Sequence, residues 1–196
     1  MFRTRSARPT PRWSRSNGSR HRKKSPTRFC FWRPKKPAMS REPFWRWLVA
    51  SDVFPALLDV LPHRPPFLFL DEVRGLTKKD ASFRRAVRED EPQFQGHYPG
   101  NPLMPGVLLC EAALQAGAYL MACTFGDTAQ GQVPVVTRMN NVKFRRPVRP
   151  GDQLDIHVQH LESVMGAQLM RATLSVADKK VASLEFTVTM IQEASP

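Results

Sequence analysis

Residues 94 to 115 read FQGHYPGNPLMPGVLLCEAALQ, a loop dense in glycine and proline that leads directly into an apolar run. The run from Val107 to about Cys123 is mostly Ala and Leu and contains no proline, which predicts a helix that is apolar on almost every face. A helix of this kind has to be buried on most sides. A sheet that wraps around it would bury it in this way.

The chain after this helix alternates between apolar and polar residues. The alternation runs through residues 154–159, 169–176 and 184–190, and this period of two predicts half-buried antiparallel strands, with turns at 150–152 and near 178–179. Before the helix, we expect a short helical piece that ends at Pro62, a strand from Phe67 to Val73 and another from Ala81 to Val87. The sequence therefore predicts an α+β fold, with an antiparallel sheet around one long central helix.

The formal net charge of +13 comes from one end of the chain. Residues 1–38 carry nine Arg, four Lys and no acidic residue, whereas the remainder carries 17 basic and 17 acidic residues. We expect residues 1–38 to be a disordered tail, with three interpretations open: mis-assigned upstream sequence, an organelle transit peptide or an arm that binds nucleic acid. Residues 39–196 are expected to form a single domain. Because the domain is neutral, we expect it to bind no nucleic acid.

The cysteines and the apolar run bear on the cellular location of the protein. The three cysteines have no metal-like spacing, and their odd number suits a reducing compartment. The apolar run approaches the length of a membrane span, but it includes Glu111 and Gln115 and follows two prolines, so we expect no span. These features favour a cytoplasmic protein, or an organellar one if the tail is a transit peptide.

Four positions around the loop and the helix are candidates for chemistry. His97 lies in the loop, where glycines and prolines fix the backbone and hold the side chain in a repeatable place. Glu111 lies inside the apolar helix, where a carboxylate is costly unless it is paired, neutralised or used. Gln115 follows one turn later on the same face. The free N–H groups of the first helical turn begin with Gly106 and can bind a developing oxyanion.

Three segments, LPHRPPFLFLDEV (61–73), GHYPGNPLMPGVLLCEAALQ (96–115) and VKFRRPVRPGDQL (142–154), resemble the signature segments of the β-hydroxyacyl-acyl carrier protein dehydratases of fatty acid synthesis. The resemblance implies the hot-dog fold, whose sheet wraps a long central helix. It implies that His97 and Glu111 are the catalytic pair, contributed by different subunits of a homodimer or of a larger assembly of dimers. It also implies that the Gly106 amide holds the thioester carbonyl and that Gln115 lies beside the glutamate.

The implied reaction removes water from a 3-hydroxyacyl chain that acyl carrier protein carries on its phosphopantetheine arm. Neutral His97 is suited to take the proton from C2, and a protonated Glu111 can give its proton to the departing hydroxyl. The product is a trans-2-enoyl thioester, and no other cofactor is expected. Two alternatives stay open: a hot-dog thioesterase, in which the helix carboxylate activates water, and a non-catalytic acyl-binding subunit.

Other polar residues have less specific interpretations. We expect His63 to fix the turn before the first strand, and no His, Cys and Asp group has metal-ligand spacing, so no metal is predicted. The basic run from Lys143 to Arg149 has two interpretations of equal weight. It either protects a solvated strand edge or receives an acidic carrier protein or its phosphate.

Overall fold

The computed structural model describes residues 54–125 and 132–192, all of which belong to the unit Phe31–Pro196. The tail of residues 1–38 and the domain boundary at 39 lie outside the described residues, so both stay predictions. The described elements, in chain order, are α1 (Leu57–Val60), β1 (Glu72–Leu76), β2 (Asp80–Ala86), a short 3-10 helix (Pro92–Gln95), α2 (Gly106–Phe125), β3 (Gln132–Phe144), β4 (Gln153–Val164), β5 (Ala167–Val176) and β6 (Lys179–Gln192).

The six strands form one antiparallel sheet in the order β1-β2-β4-β5-β6-β3, which leaves β1 and β3 at its edges. The predicted alternation is confirmed, because Leu154, Ile156 and Val158 on β4 are all buried while their neighbours are at least partly exposed. The same holds along β5, where Met170, Ala172 and Leu174 are buried. One face of the sheet therefore lies on the core.

Helix α2 supplies the other side of the core. Most of its length is buried, and an added Cβ at Gly117 would lie 2.6 Å from Cζ of Phe186 on β6, so the helix approaches the sheet where only glycine fits. The helix is long and apolar enough to cross a membrane, but 61% of its most apolar 18-residue window is buried inside the protein. It serves as the central helix that the apolar run predicts.

Two turns fall where the sequence predicts them. Gly151 has φ +92° in the turn before β4, a conformation that favours glycine. The turn between β5 and β6 places Ala177 and Asp178 at φ +46° and +62°, which is the backbone of a tight hairpin. These turns set the register of the core-facing residues.

The first predicted strand is wrong in its position. We expected it over 67–73, but regular pairing with β2 begins only at Glu72. The reason is a helix side chain: the Phe69 N–H donates to Gln115 Oε1 at 2.8 Å, and the Phe67 carbonyl accepts from Gln115 Nε2 at 2.9 Å. This stretch of backbone is therefore tied to α2, and the strand starts after it.

Candidate active site

The loop that carries His97 is held by its own backbone. The 3-10 helix precedes it, and the His97 N–H donates to the Gln93 carbonyl at 2.9 Å. The ring Nδ1 lies 2.6 Å from the Leu103 carbonyl oxygen, so Nδ1 carries the hydrogen of the neutral imidazole. This tautomer leaves the lone pair of Nε2 free to accept a proton, as a general base requires.

A buried ion pair anchors the start of this loop. Arg85 on β2 and Glu91 are 2% and 7% exposed, and the Arg85 guanidinium donates to the Glu91 carboxylate. The Arg88 N–H donates to the other carboxylate oxygen at 2.8 Å. Burial lowers the pKa of Arg85, and the adjacent Glu91 carboxylate opposes that effect. Arg85 also lies 4.6 Å over the ring of Phe69, which joins the loop to the backbone that Gln115 holds.

The sequence interpretation missed this pair, although a signal was present. Period two along β2 places Ala81, Phe83 and Arg85 on one face and Val87 follows directly after the strand, and all four are buried. An arginine among three apolar inward positions requires a buried acidic partner. In the structure that partner is Glu91, one of three consecutive acidic residues after the strand.

Gln115 holds Glu111 in place on the face of α2. Gln115 is 1% exposed, and its Nε2 donates both to the Phe67 carbonyl and to Glu111 Oε1, each at 2.9 Å. The prediction that the two residues share a face is confirmed. Oε1 of the carboxyl is thus engaged within the chain, whereas no hydrogen bond to Oε2 is found among the described residues, and the Glu111 side chain is 21% exposed.

Gly106 forms the first residue of α2, one position before the predicted start. The carbonyl of Pro105 accepts the N–H groups of Leu108 and Leu109 at 3.0 and 3.2 Å. No acceptor for the Gly106 N–H is found among residues 54–125 and 132–192. An added Cβ at Gly106 would lie 2.9 Å from the ring of Phe144, which ends β3, so the helix starts against this ring where a side chain would not fit.

His63 has a different place from the one expected. Its Nε2 lies 3.6 Å from Glu111 Oε1, at the edge of the candidate site. The turn is instead held by Arg64, whose guanidinium donates to the carbonyls of Leu61 and Leu58 at 2.7 and 3.0 Å. The side chain that fixes the turn is therefore Arg64, and the imidazole of His63 faces the carboxyl.

One chain does not bring His97 and Glu111 together. Neither a hydrogen bond nor an ion pair within 4.0 Å joins these two described side chains, although each is held by contacts of its own. Within the part of the chain that the structure describes, no group of three His, Cys, Asp or Glu side chains could hold a metal ion. That no metal or further cofactor is used stays a prediction.

A model of the family described as FabA-like domain matches residues 61–185. The chain belongs to the FabA-like domain family. Two relatives are each called 3-hydroxyacyl-[acyl-carrier-protein] dehydratase FabZ. The one from Syntrophotalea carbinolica is 43% identical over 130 residues, which cover 66% of this chain and 88% of that protein. The one from Symbiobacterium thermophilum is 37% identical over 140 residues, which cover 71% and 97%. The resemblance drawn from the three sequence segments is therefore confirmed.

Solved structures support the same fold for this FabA-like chain. The dehydratase heterocomplex ApeI:P from Xenorhabdus doucetiae matches with a TM-score of 0.61 at 16% identity, over 72% of this chain and 94% of that one. The structure of smu.793 from Streptococcus mutans bound to acetyl CoA matches with a TM-score of 0.52 at 15% identity, over 69% and 98%. The predicted hot-dog fold is confirmed, and at these identities the likeness speaks for the fold alone.

Proposed function

We infer that this chain dehydrates 3-hydroxyacyl chains carried on acyl carrier protein to trans-2-enoyl chains, as a hydro-lyase of fatty acid biosynthesis. Its FabZ relatives carry that activity in their names, and the matches span most of their length. The observation that carries the chemistry is the hydrogen bond from His97 Nδ1 to the Leu103 carbonyl, because it leaves Nε2 as a base. A thioesterase that activates water with the helix carboxylate has no need of that base.

The proposed reaction uses three groups. His97 Nε2 takes the proton from C2, and the electron pair of that C–H bond forms the C2–C3 double bond. The C3–O bond breaks, and the hydroxyl leaves as water with the proton of Glu111. The Gly106 N–H donates to the thioester carbonyl, whose oxygen gains negative charge as the C2 proton departs.

We propose that the site is completed by a second copy of the chain, which brings its histidine loop to Glu111. Every residue from Val135 to Phe144 is exposed, although neighbouring residues of a strand point to opposite faces. These residues include Val136, Met139 and Phe144, and β3 is an edge of the sheet. A long apolar edge strand is a surface that pairs with another chain. Because Phe144 lies beside Gly106, pairing at β3 places the partner next to the site.

We also propose that the acidic carrier protein lands on the basic run. Arg145 and Arg149 are engaged within the chain, with Ser183 Oγ at 2.9 Å and Asn101 Oδ1 at 2.7 Å. The side chains of Lys143 and Arg146 are exposed and make no hydrogen bond or ion pair with residues 54–125 or 132–192. Charge reversal at both, compared with reversal at Lys179 and Lys180, should raise KM for the carrier-bound substrate but not for a small thioester. If charge reversal changes KM by the same factor for the carrier-bound substrate and for the small thioester, this landing surface is contradicted.

The activity test follows two products at once. The purified protein is given 3-hydroxyacyl thioesters of several chain lengths, and both enoyl absorbance and free thiol are recorded. We expect enoyl formation that falls by about 10²- to 10⁴-fold in His97→Ala and in Glu111→Gln, the usual contribution of general acid–base groups. His157→Ala, on the outer face of the sheet, is the control. Thiol release in place of enoyl product indicates a thioesterase, and neither product from folded protein indicates a non-catalytic acyl-binding subunit.

The location of this enzyme in the cell stays a prediction. The relatives named above are bacterial proteins, and a reducing cytoplasm suits free Cys110 and Cys123, both of which are buried. Cell fractionation followed by detection of the chain would test this location, and recovery of the protein in an organelle would contradict it.

A further inference from the structure

His63 is 28% exposed as a side chain, yet one of its ring nitrogens is buried in a way that packing alone does not explain. Its Nδ1 is buried and has no hydrogen-bond partner in the described part of the chain. The ring lies 6.2 Å from that of Phe67, a distance that an apolar ring could keep equally well. A buried polar group without a partner is costly, so an imidazole here indicates a use for its other nitrogen.

That other nitrogen faces Glu111. Nε2 of His63 lies 3.6 Å from Glu111 Oε1, the same oxygen that accepts from Gln115 Nε2 at 2.9 Å. A shift of roughly 0.6 Å would bring the two atoms to hydrogen-bond distance. If the ring hydrogen sits on Nε2, the unpartnered Nδ1 is an acceptor, which is less costly to leave unpaired than an N–H.

We propose that His63 is a positioning residue for Glu111, acting from the same chain. This proposal rests on the proposed function, in which Glu111 gives its proton to the departing hydroxyl. As that proton leaves, the carboxyl becomes a carboxylate, and the N–H groups of His63 and Gln115 both donate to Oε1. Oε2 thereby stays directed at the substrate hydroxyl, and the new negative charge is stabilised.

Arg64, the residue that follows His63, carries a charge that is already engaged. Arg64 directs its guanidinium to the carbonyls of Leu61, Leu58 and His63 itself. Glu111 is the acidic group within reach of the imidazole among the described residues. Removing the imidazole therefore acts on Glu111 and leaves the turn in place.

Two substitutions separate positioning from packing. His63→Phe keeps a ring beside Phe67 and removes the donor, whereas His63→Gln keeps an N–H donor at similar reach. We expect His63→Phe to lower kcat by about 10- to 100-fold, the range for a lost hydrogen bond to a charged group, with KM changed less than twofold. His63→Gln should recover kcat to within about fivefold of the original protein. His157→Phe is the matched control on the outer sheet face.

A double substitution then tests whether His63 acts through Glu111. The variant that combines His63→Phe with Glu111→Gln should be no slower than Glu111→Gln alone, because the group that His63 serves is already lost. A kcat within twofold of the original in His63→Phe overturns the proposal, as do equal losses in the Phe and Gln variants with a lowered Tm. If Glu111→Gln keeps full activity, the proposed acid is wrong and the role of His63 is lost with it.

Discussion

At the scale of single residues, the informative feature is the combination of a carboxylate and an amide inside an apolar helix. The spacing of Glu111 and Gln115 was enough to predict that they share a face, since four residues make about one helical turn. It could not predict that Gln115 also bonds the backbone at Phe67 and Phe69, because those contacts join positions 46 and 48 residues apart. Such long-range partners depend on the packed fold and leave no periodic trace.

Replacement of Gln115 by Met should reduce both stability and activity. Met fills the same volume, but the buried Phe69 N–H and the partly buried Phe67 carbonyl lose their partner, which should cost about 2 to 5 kcal/mol in the free energy of unfolding. The activity of the remaining folded protein should also fall, because Glu111 loses a donor. Urea unfolding measures the first effect, and Gln159→Met on an exposed site should change it by less than about 0.5 kcal/mol. A loss at Gln115 no larger than that of the control would show that these bonds do not stabilise the fold.

At the scale of helices and strands, periodicity predicted the architecture well. The apolar run gave α2, and period two gave β4, β5 and β6, because each pattern is set by which faces are buried. The first strand was predicted too early in the chain. The apolar run of Phe and Leu before β1 satisfies a strand pattern, but its backbone bonds to a helix side chain. The Arg85–Glu91 pair shows the reverse case, where the pattern held a signal of burial that the interpretation did not use.

Because α2 packs closely on the sheet, replacement of Gly117 by a larger residue should destabilise the fold. In Gly117→Ala the new Cβ would lie 2.6 Å from Phe186 Cζ and 3.0 Å from the sulfur of Met170, so one of the elements has to move. Overpacking of this kind should lower the free energy of unfolding by about 1 to 3 kcal/mol, despite the better helix propensity of alanine. Urea unfolding is again the measurement. Gly75→Ala on β1, where the nearest atom is 3.9 Å away, should change stability by less than about 1 kcal/mol. Equal effects at the two sites would show that α2 does not lie this close to β6.

The two thiols of α2 should be inert while the protein is folded. Burial raises the pKa of Cys110, and it raises the pKa of Cys123 to about 12, so little thiolate is present at pH 8, where an ordinary thiol is partly ionised. In a Cys30→Ser background, a thiol reagent at pH 8 should modify neither residue of the native protein and both in urea. Cys30 has to be removed because it lies outside the described residues. Rapid modification of one thiol in the folded protein would mean that α2 is open to solvent on that face.

At the scale of the whole molecule, the proposed site is incomplete within one chain. His97 and Glu111 are each held by local contacts, yet the proposed base and the proposed acid are not joined within a chain. The exposed β3 edge lies next to the helix start, so the surface that is open to pairing adjoins the site that needs a partner. The sequence could predict this arrangement only through the family resemblance, because no periodicity within one chain encodes contacts between two.

Complementation between two inactive variants tests the shared site directly. In a dimer of one His97→Ala chain and one Glu111→Gln chain, the site that combines the intact His97 of the second chain with the intact Glu111 of the first is complete, whereas the other site lacks both groups. Heterodimers isolated by a different tag on each chain should therefore show about half of the original activity per dimer, although each variant alone is inactive. If both groups act within one chain, every site in the heterodimer lacks one of them, and the isolated heterodimer stays as inactive as its parents.

Met139→Asp, on the exposed β3 edge, should give monomers by light scattering and lose activity with His97 and Glu111 intact, since an acidic side chain on a pairing strand opposes its partner. An active monomer would show that the histidine and the glutamate meet without a second copy.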